Sequence, residues 1–179
     1  MGSALDRLET VFELIDMRSF SNLWFWIALA VLWSTASHWV LGVPYDMVTR
    51  ARRHGGQANV DLDDMVRVNI NRLLYIDQLA GLWLLSGVCF VLSVLVILGF
   101  FYRVELAQAV FLLSFPMTIV GALNLMQARK IKDNDLTGEL LWKSLSRHRT
   151  WIQGIGMVSI FVTSIWGMYQ NLSIGALGG

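Results

Sequence analysis

Residues Leu82–Tyr102 read LWLLSGVCFVLSVLVILGFFY, and none of them is Asp, Glu, Lys or Arg. At a rise of about 1.5 Å per residue, a helix of this length covers the roughly 30 Å hydrocarbon core of a bilayer. Only helices and closed barrels satisfy their backbone in lipid, and this run lacks the period-two alternation of a barrel strand. It therefore predicts a membrane-spanning helix. Three further windows are equally free of charge: Leu23–Val43, Leu106–Met126 and Trp151–Tyr169. Together they predict an all-α integral membrane protein with four transmembrane helices.

Composition points the same way. The chain has 179 residues, 55% hydrophobic and 15% charged, against about 25% charged in soluble domains. A net charge of +1 lacks the basic excess of a nucleic-acid binder, so the partner expected is the lipid bilayer and not nucleic acid. The single cysteine, Cys89, excludes an intrachain disulfide. One thiol also falls short of the four that typically hold an iron–sulfur cluster. The first window does not read as a signal peptide. It is of full spanning length, and Asp6, Glu9, Glu13 and Asp16 outnumber Arg7 and Arg18 ahead of it.

The placement of charge predicts orientation. Eleven of the 14 Lys and Arg fall in the first and third loops, and such residues mark the cytoplasmic side. Both termini are then periplasmic. Within residues 1–21, Leu5, Leu8, Phe12 and Ile15 share one face of an amphipathic helix. The first span, 23–43, leads into a cytoplasmic loop, 44–60, marked by Pro44 and the Gly55–Gly56 pair. Leu62, Met65 or Val66, Ile70 with Asn69, and Leu73 or Leu74 recur at helical spacing with no breaker before the second span, which predicts one long helix over 62–101. Asp61, Asp63 and Asp64 are placed to cap it. The third span covers 105–127, with Pro116 as a kink. A loop over 128–135 precedes a second long helix, 136–171, with Leu140 or Leu141, Leu145 and Ile152 in register, and a tail over 172–179. Two of the helices thus extend into the cytoplasm.

Polar residues interrupt the spans in stripes. The first holds Ser34, Ser37 and His38, the third Gly121 and Asn124, and the fourth Gly156, Ser159, Thr163 and Gly167. Small and hydroxylated residues are what membrane helices pack through, within a chain or between copies of a homo-oligomer. The other reading is a water-lined path in which Ser34, Ser37, His38 and Asn124 line or gate an inner mouth. His38 is the ionisable side chain set well inside a span, which makes it a functional candidate. Arg50, Arg52, Arg53, Arg147 and Arg149 form a basic cytoplasmic face suited to a soluble partner or to anionic headgroups. His38, His54 and His148 lack metal-ligand spacing, and the Asp61–Asp64 cluster lacks that of a calcium loop. With no nucleophile elbow, HExxH, CxxC or phosphate loop, no enzyme, catalytic residue, metal or cofactor is predicted.

ELIDMRSFSNLWFWIALAVLWSTASHWVLGVPYDMVTRARR (residues 13–53) and IGMVSIFVTSIWGMYQNLS (residues 155–173) resemble a family of small membrane proteins from alphaproteobacteria. The resemblance covers nearly the whole chain. Members of that family often carry the label "component of SufBCD complex", which implies a link to iron–sulfur cluster assembly and names no catalytic residue. Two functions are therefore expected to compete. The first is a non-enzymatic accessory or scaffold subunit of the bacterial inner membrane, self-associating and docking through its basic face. The second is a small homo-oligomeric ion channel or transport pore with its inner mouth near His38.

Overall fold

The structure is a computed structural model that describes Phe20 and residues 23–175. Helix α1 spans Leu23–His38. A two-residue hairpin follows, β1 (Trp39–Val40) and β2 (Val43–Pro44), and then α2, Tyr45–His54. Helix α3 runs from Gln57 to Val96 and continues through a π-helical turn, Ile97–Phe101. Helix α4 spans Glu105–Asp133 and α5 spans Gly138–Gly175. Three of these helices, α3 with its π turn, α4 and α5, are long and apolar enough to cross a membrane. The amphipathic helix expected in residues 1–21 and the end of the expected tail lie outside the described residues.

The fourth expected span is different. The apolar window Leu23–Val43 yields a helix that stops at His38, about 24 Å long and short of the roughly 30 Å core. Its last residues turn back as the hairpin, with Trp39 opposite Pro44 and Val40 opposite Val43. Leu41 and Gly42 both take positive φ, 53° and 74°, as a two-residue hairpin turn with right-handed twist requires. Hydropathy does not register this reversal, because WVLGV is as apolar as the helix before it.

The stretches read as loops are also partly helical. Residues 44–60 contain α2, whose Val48 and Ala51 are buried three residues apart while Arg50, Arg52 and Arg53 are exposed. Gly55 and Gly56, at positive φ, end it, and α3 begins at Gln57 instead of residue 62. Residues 128–133 continue α4, because Ala128 and Ile131 seat themselves in the core. Helix α4 passes through Pro116 unbroken.

Two cores result. The larger gathers Val40, Val43, Val48, Leu62, Val66, Ile70 and Leu74 with Ala128, Ile131, Leu141 and Leu145. It unites the hairpin, α2 and the polar-sequence ends of α3, α4 and α5 into a head at the basic end of the molecule. The smaller, Leu29, Trp33, Val120 and Ile152, joins α1, α4 and α5. The apolar half of α3 contributes almost nothing to either: Leu82, Trp83 and Phe90 are exposed. It meets α4 at a tight turn, where the Gln108 amide nitrogen would sit 3.0 Å from any Cβ on Gly99. A side chain there would press on the backbone of α4.

Candidate functional site

The polar groups of the described chain converge where the head meets the apolar helices. Arg149 on α5 lies with its guanidinium carbon 3.9 Å from the centre of the Tyr45 ring. Its Nε donates to the Ser37 carbonyl at 3.0 Å. That carbonyl is one of the last in α1, so a cation meets the negative end of a helix dipole. Tyr45, fixed by the hairpin at the start of α2, hydrogen-bonds Ser146 through its hydroxyl at 3.2 Å. One residue away, His148 is buried, and its Nε2 lies 2.7 Å from Asn124 Oδ1 on α4. A turn lower, Gln127 Nε2 donates to the buried Ser144 Oγ at 2.6 Å. Asn69 Nδ2 donates to the Gly42 carbonyl at 3.3 Å, which ties α3 to the hairpin turn. Asp77 of α3 pairs with Arg129 of α4 at 2.7 Å. Asp63 accepts from the Gly138 amide at 3.2 Å; the aspartate expected to cap α3 therefore serves the first turn of α5.

This arrangement divides the residues proposed for a pore. Adjacent residues of α5, His148 and Arg149, engage the Asn124 side chain and the Ser37 backbone. The side chains of Ser34 and His38 are exposed, and the His38 ring lies edge-on to Trp39 with centroids 6.1 Å apart. Among the basic residues, Arg50, Arg52, Arg53 and Arg147 are exposed, while Arg149 is half-buried. Arg52 sits 5.8 Å from the Trp142 ring centre.

The stripe on α5 is an intrachain contact over much of its length. A Cβ on Gly156 would lie 2.7 Å from Trp33, and one on Gly167 would lie 3.3 Å from Phe20. Ser159 and Thr163 are buried beside them. Gly121, by contrast, is exposed and has no atom near a would-be Cβ. Among the described residues no group of His, Cys, Asp and Glu is arranged to hold a metal ion.

A second polar hub lies at the opposite end. Gln108 is buried on α4. Its Nε2 donates to the Gly99 carbonyl at 2.7 Å, and its Oε1 accepts from Trp166 Nε1 at 2.9 Å and from Gln170. One amide thus links α3, α4 and α5. The sequence carried a signal for it: an amide inside an apolar window must find partners. Nothing in the spacing of the stripes pointed to His148 or Tyr45.

No protein family, curated protein or solved structure matches this chain.

Proposed function

We propose that this protein is a non-enzymatic accessory or scaffold subunit of the bacterial inner membrane, with its head and basic face in the cytoplasm and both termini periplasmic. The observation that carries the reading is α2. Its apolar side is consumed by the head core, and Arg50, Arg52 and Arg53 are left exposed on its other side. A short helix held rigidly by its apolar face, with three arginines outward, is a surface for an acidic soluble partner or anionic headgroups. The resemblance to proteins labelled as components of a SufBCD complex makes the iron–sulfur assembly machinery the first partner to look for. Self-association is part of this reading, supported by the small residue Gly121 of α4, which is exposed with no atom of the chain near a would-be Cβ. Affinity purification from native membranes, for wild type and an Arg50→Gln/Arg52→Gln/Arg53→Gln variant, tests it. A soluble protein recovered with wild type and lost from the variant supports the scaffold; recovery of this chain alone from both ends it.

A second reading is a small homo-oligomeric channel with an inner mouth near His38. The exposure of Ser34 and His38 on an apolar helix favours it, since polar groups facing lipid are costly and several copies could turn them toward water. Ion flux into proteoliposomes that falls with His38→Ala would support the pore, and absence of flux at any pH would exclude it.

A further inference from the structure

The seam between α4 and α5 holds two cavities on one line. The first, of about 530 Å³, is walled by Phe115 and Ile119 of α4 and by Trp151, Ile155 and Val158 of α5, with almost no polar surface. The second, of about 430 Å³, is walled by Lys130 of α4, by Asn134 just beyond its end, and by Lys143, Ser144 and Arg147 of α5. On α5, residues 140, 144, 147, 151, 155, 158 and 162 line one or other cavity at intervals of three or four. On α4, residues 112, 116 and 119 of the first cavity are in helical phase with 130 of the second. Residues so spaced share one face of a helix. The two cavities therefore open on the same side of the same pair of helices. The Gln127–Ser144 and Asn124–His148 hydrogen bonds brace the helices between them.

Depth and charge distinguish the cavities. Lys130 lies four residues beyond the end of the apolar window at Met126, and Arg147 lies four residues before its start at Trp151. The Asn124–His148 and Gln127–Ser144 hydrogen bonds set Arg147 level with residues 124–125 of α4, so Lys130 lies about 8 Å below it along the helix pair. No carboxylate lines the lower cavity. Lys143 is paired with Glu139, whereas among the described residues no carboxylate pairs with Lys130 or Arg147. Two unpaired cations on neighbouring helices thus flank the lower cavity, at the end of the seam that holds the apolar groove.

We propose that this seam binds an anionic phospholipid from the leaflet at the basic end, with one acyl chain in the groove and the headgroup phosphate between Lys130 and Arg147. Basic pockets between membrane helices are suited to such headgroups. A helix from a second copy would fit the apolar part but would bury two cations without partners. A soluble phosphate would use only the lower cavity. The inference is independent of the scaffold reading, because it involves neither α2 nor any protein partner.

Native mass spectrometry of the full chain in neutral detergent, after lipid depletion, tests it with phosphatidylglycerol and phosphatidylcholine of identical acyl chains. One phosphatidylglycerol should remain bound at concentrations where phosphatidylcholine is at least about tenfold less retained, as about one and a half kcal/mol of charge selectivity requires. Lys130→Ala with Arg147→Ala should weaken retention about thirtyfold. Val158→Trp, which fills the groove, should weaken it with the cations intact. Millimolar inorganic phosphate should not displace the lipid. Equal retention of the two lipids, undiminished binding by the double variant or by Val158→Trp, or displacement by phosphate would each overturn the proposal. The last would reassign the lower cavity to a soluble anion. Should the double variant fail to fold, the lipid comparison and Val158→Trp still decide.

Discussion

Asp63 sits more than a turn inside α3 and gives its carboxylate to another helix, accepting from the Gly138 amide at 3.2 and 3.3 Å. Burial raises its pKa above the ordinary carboxylate value, the Gly138 hydrogen bond opposes that shift, and the charge of Asp64 adds to it. A raised folded value means that folding disfavours the charged form. The group's contribution to stability is therefore fully present below the unfolded pKa and is lost as pH rises through the folded one. Asp63→Asn keeps an acceptor for Gly138 and removes this dependence. Its melting temperature in detergent should exceed that of wild type near neutral pH, and the gap should close toward about pH 4. Asp63→Ala, which loses the acceptor, should cost about 1 kcal/mol. A neutral-pH melting point for Asp63→Asn below that of wild type would contradict the assignment. The glycines make a second residue-scale case. Gly156→Ala must displace Trp33 and should destabilise by about 1–3 kcal/mol. Gly121→Ala meets nothing and should be neutral or stabilising by about 0.5–1 kcal/mol. Both residues were read from sequence as packing positions; only their surroundings separate them.

At the scale of elements, the helices are joined by a few polar ties, and these were the least legible part of the chain. A charge count treats Arg149 as solvated surface, yet it joins α1, α2 and α5 through the Ser37 carbonyl and the Tyr45 ring. Arg149→Lys keeps the charge but loses the planar stack and the fixed Nε geometry. It should lower stability by about 1–2 kcal/mol in chemical denaturation, whereas Arg147→Lys, at an exposed site, should be silent. Gln108→Leu would strand the Gly99 carbonyl and the Trp166 indole nitrogen, at about 1–3 kcal/mol. Thermal unfolding in detergent should show that loss, and an unchanged midpoint would mean that water replaces the amide. The apolar stripe of α3 was legible in part: spacing left Met65 or Val66, and Leu73 or Leu74, open, and packing in the head buries Leu62, Val66, Ile70 and Leu74. The hairpin at Leu41–Gly42 was not, since a reversal made of apolar residues leaves no trace in hydropathy. The helix within residues 45–54 was hidden for the opposite reason: its polarity resembles a loop, and Val48 and Ala51 are its two buried apolar residues.

The whole molecule combines a packed head with helices that rely on their surroundings. Long windows without charge made α3, α4 and α5 readable as spans, since lipid imposes a simpler rule on sequence than a packed core does. Cys89 offers a direct check. It is exposed on the apolar half of α3. A thiol facing hydrocarbon meets no aqueous reagent. A polar maleimide should leave it unlabelled in intact membranes and modify it fully in denaturing detergent. Labelling in the intact bilayer would place that face of α3 in water.

Helix α3 has no break between its first residue in the head and the end of its π turn. The part that precedes Leu82 is about 37 Å long, and it behaves as a lever whose fulcrum is the membrane surface. If a thinner bilayer tilts the span by about 10°, as hydrophobic mismatch does, the far tip near Gln57 sweeps about 6 Å sideways. The arginines of α2 travel with it. Spin labels near Gln57, read in lipids of graded chain length, should record a stroke of about that size if α3 crosses the bilayer and tilts as one rod.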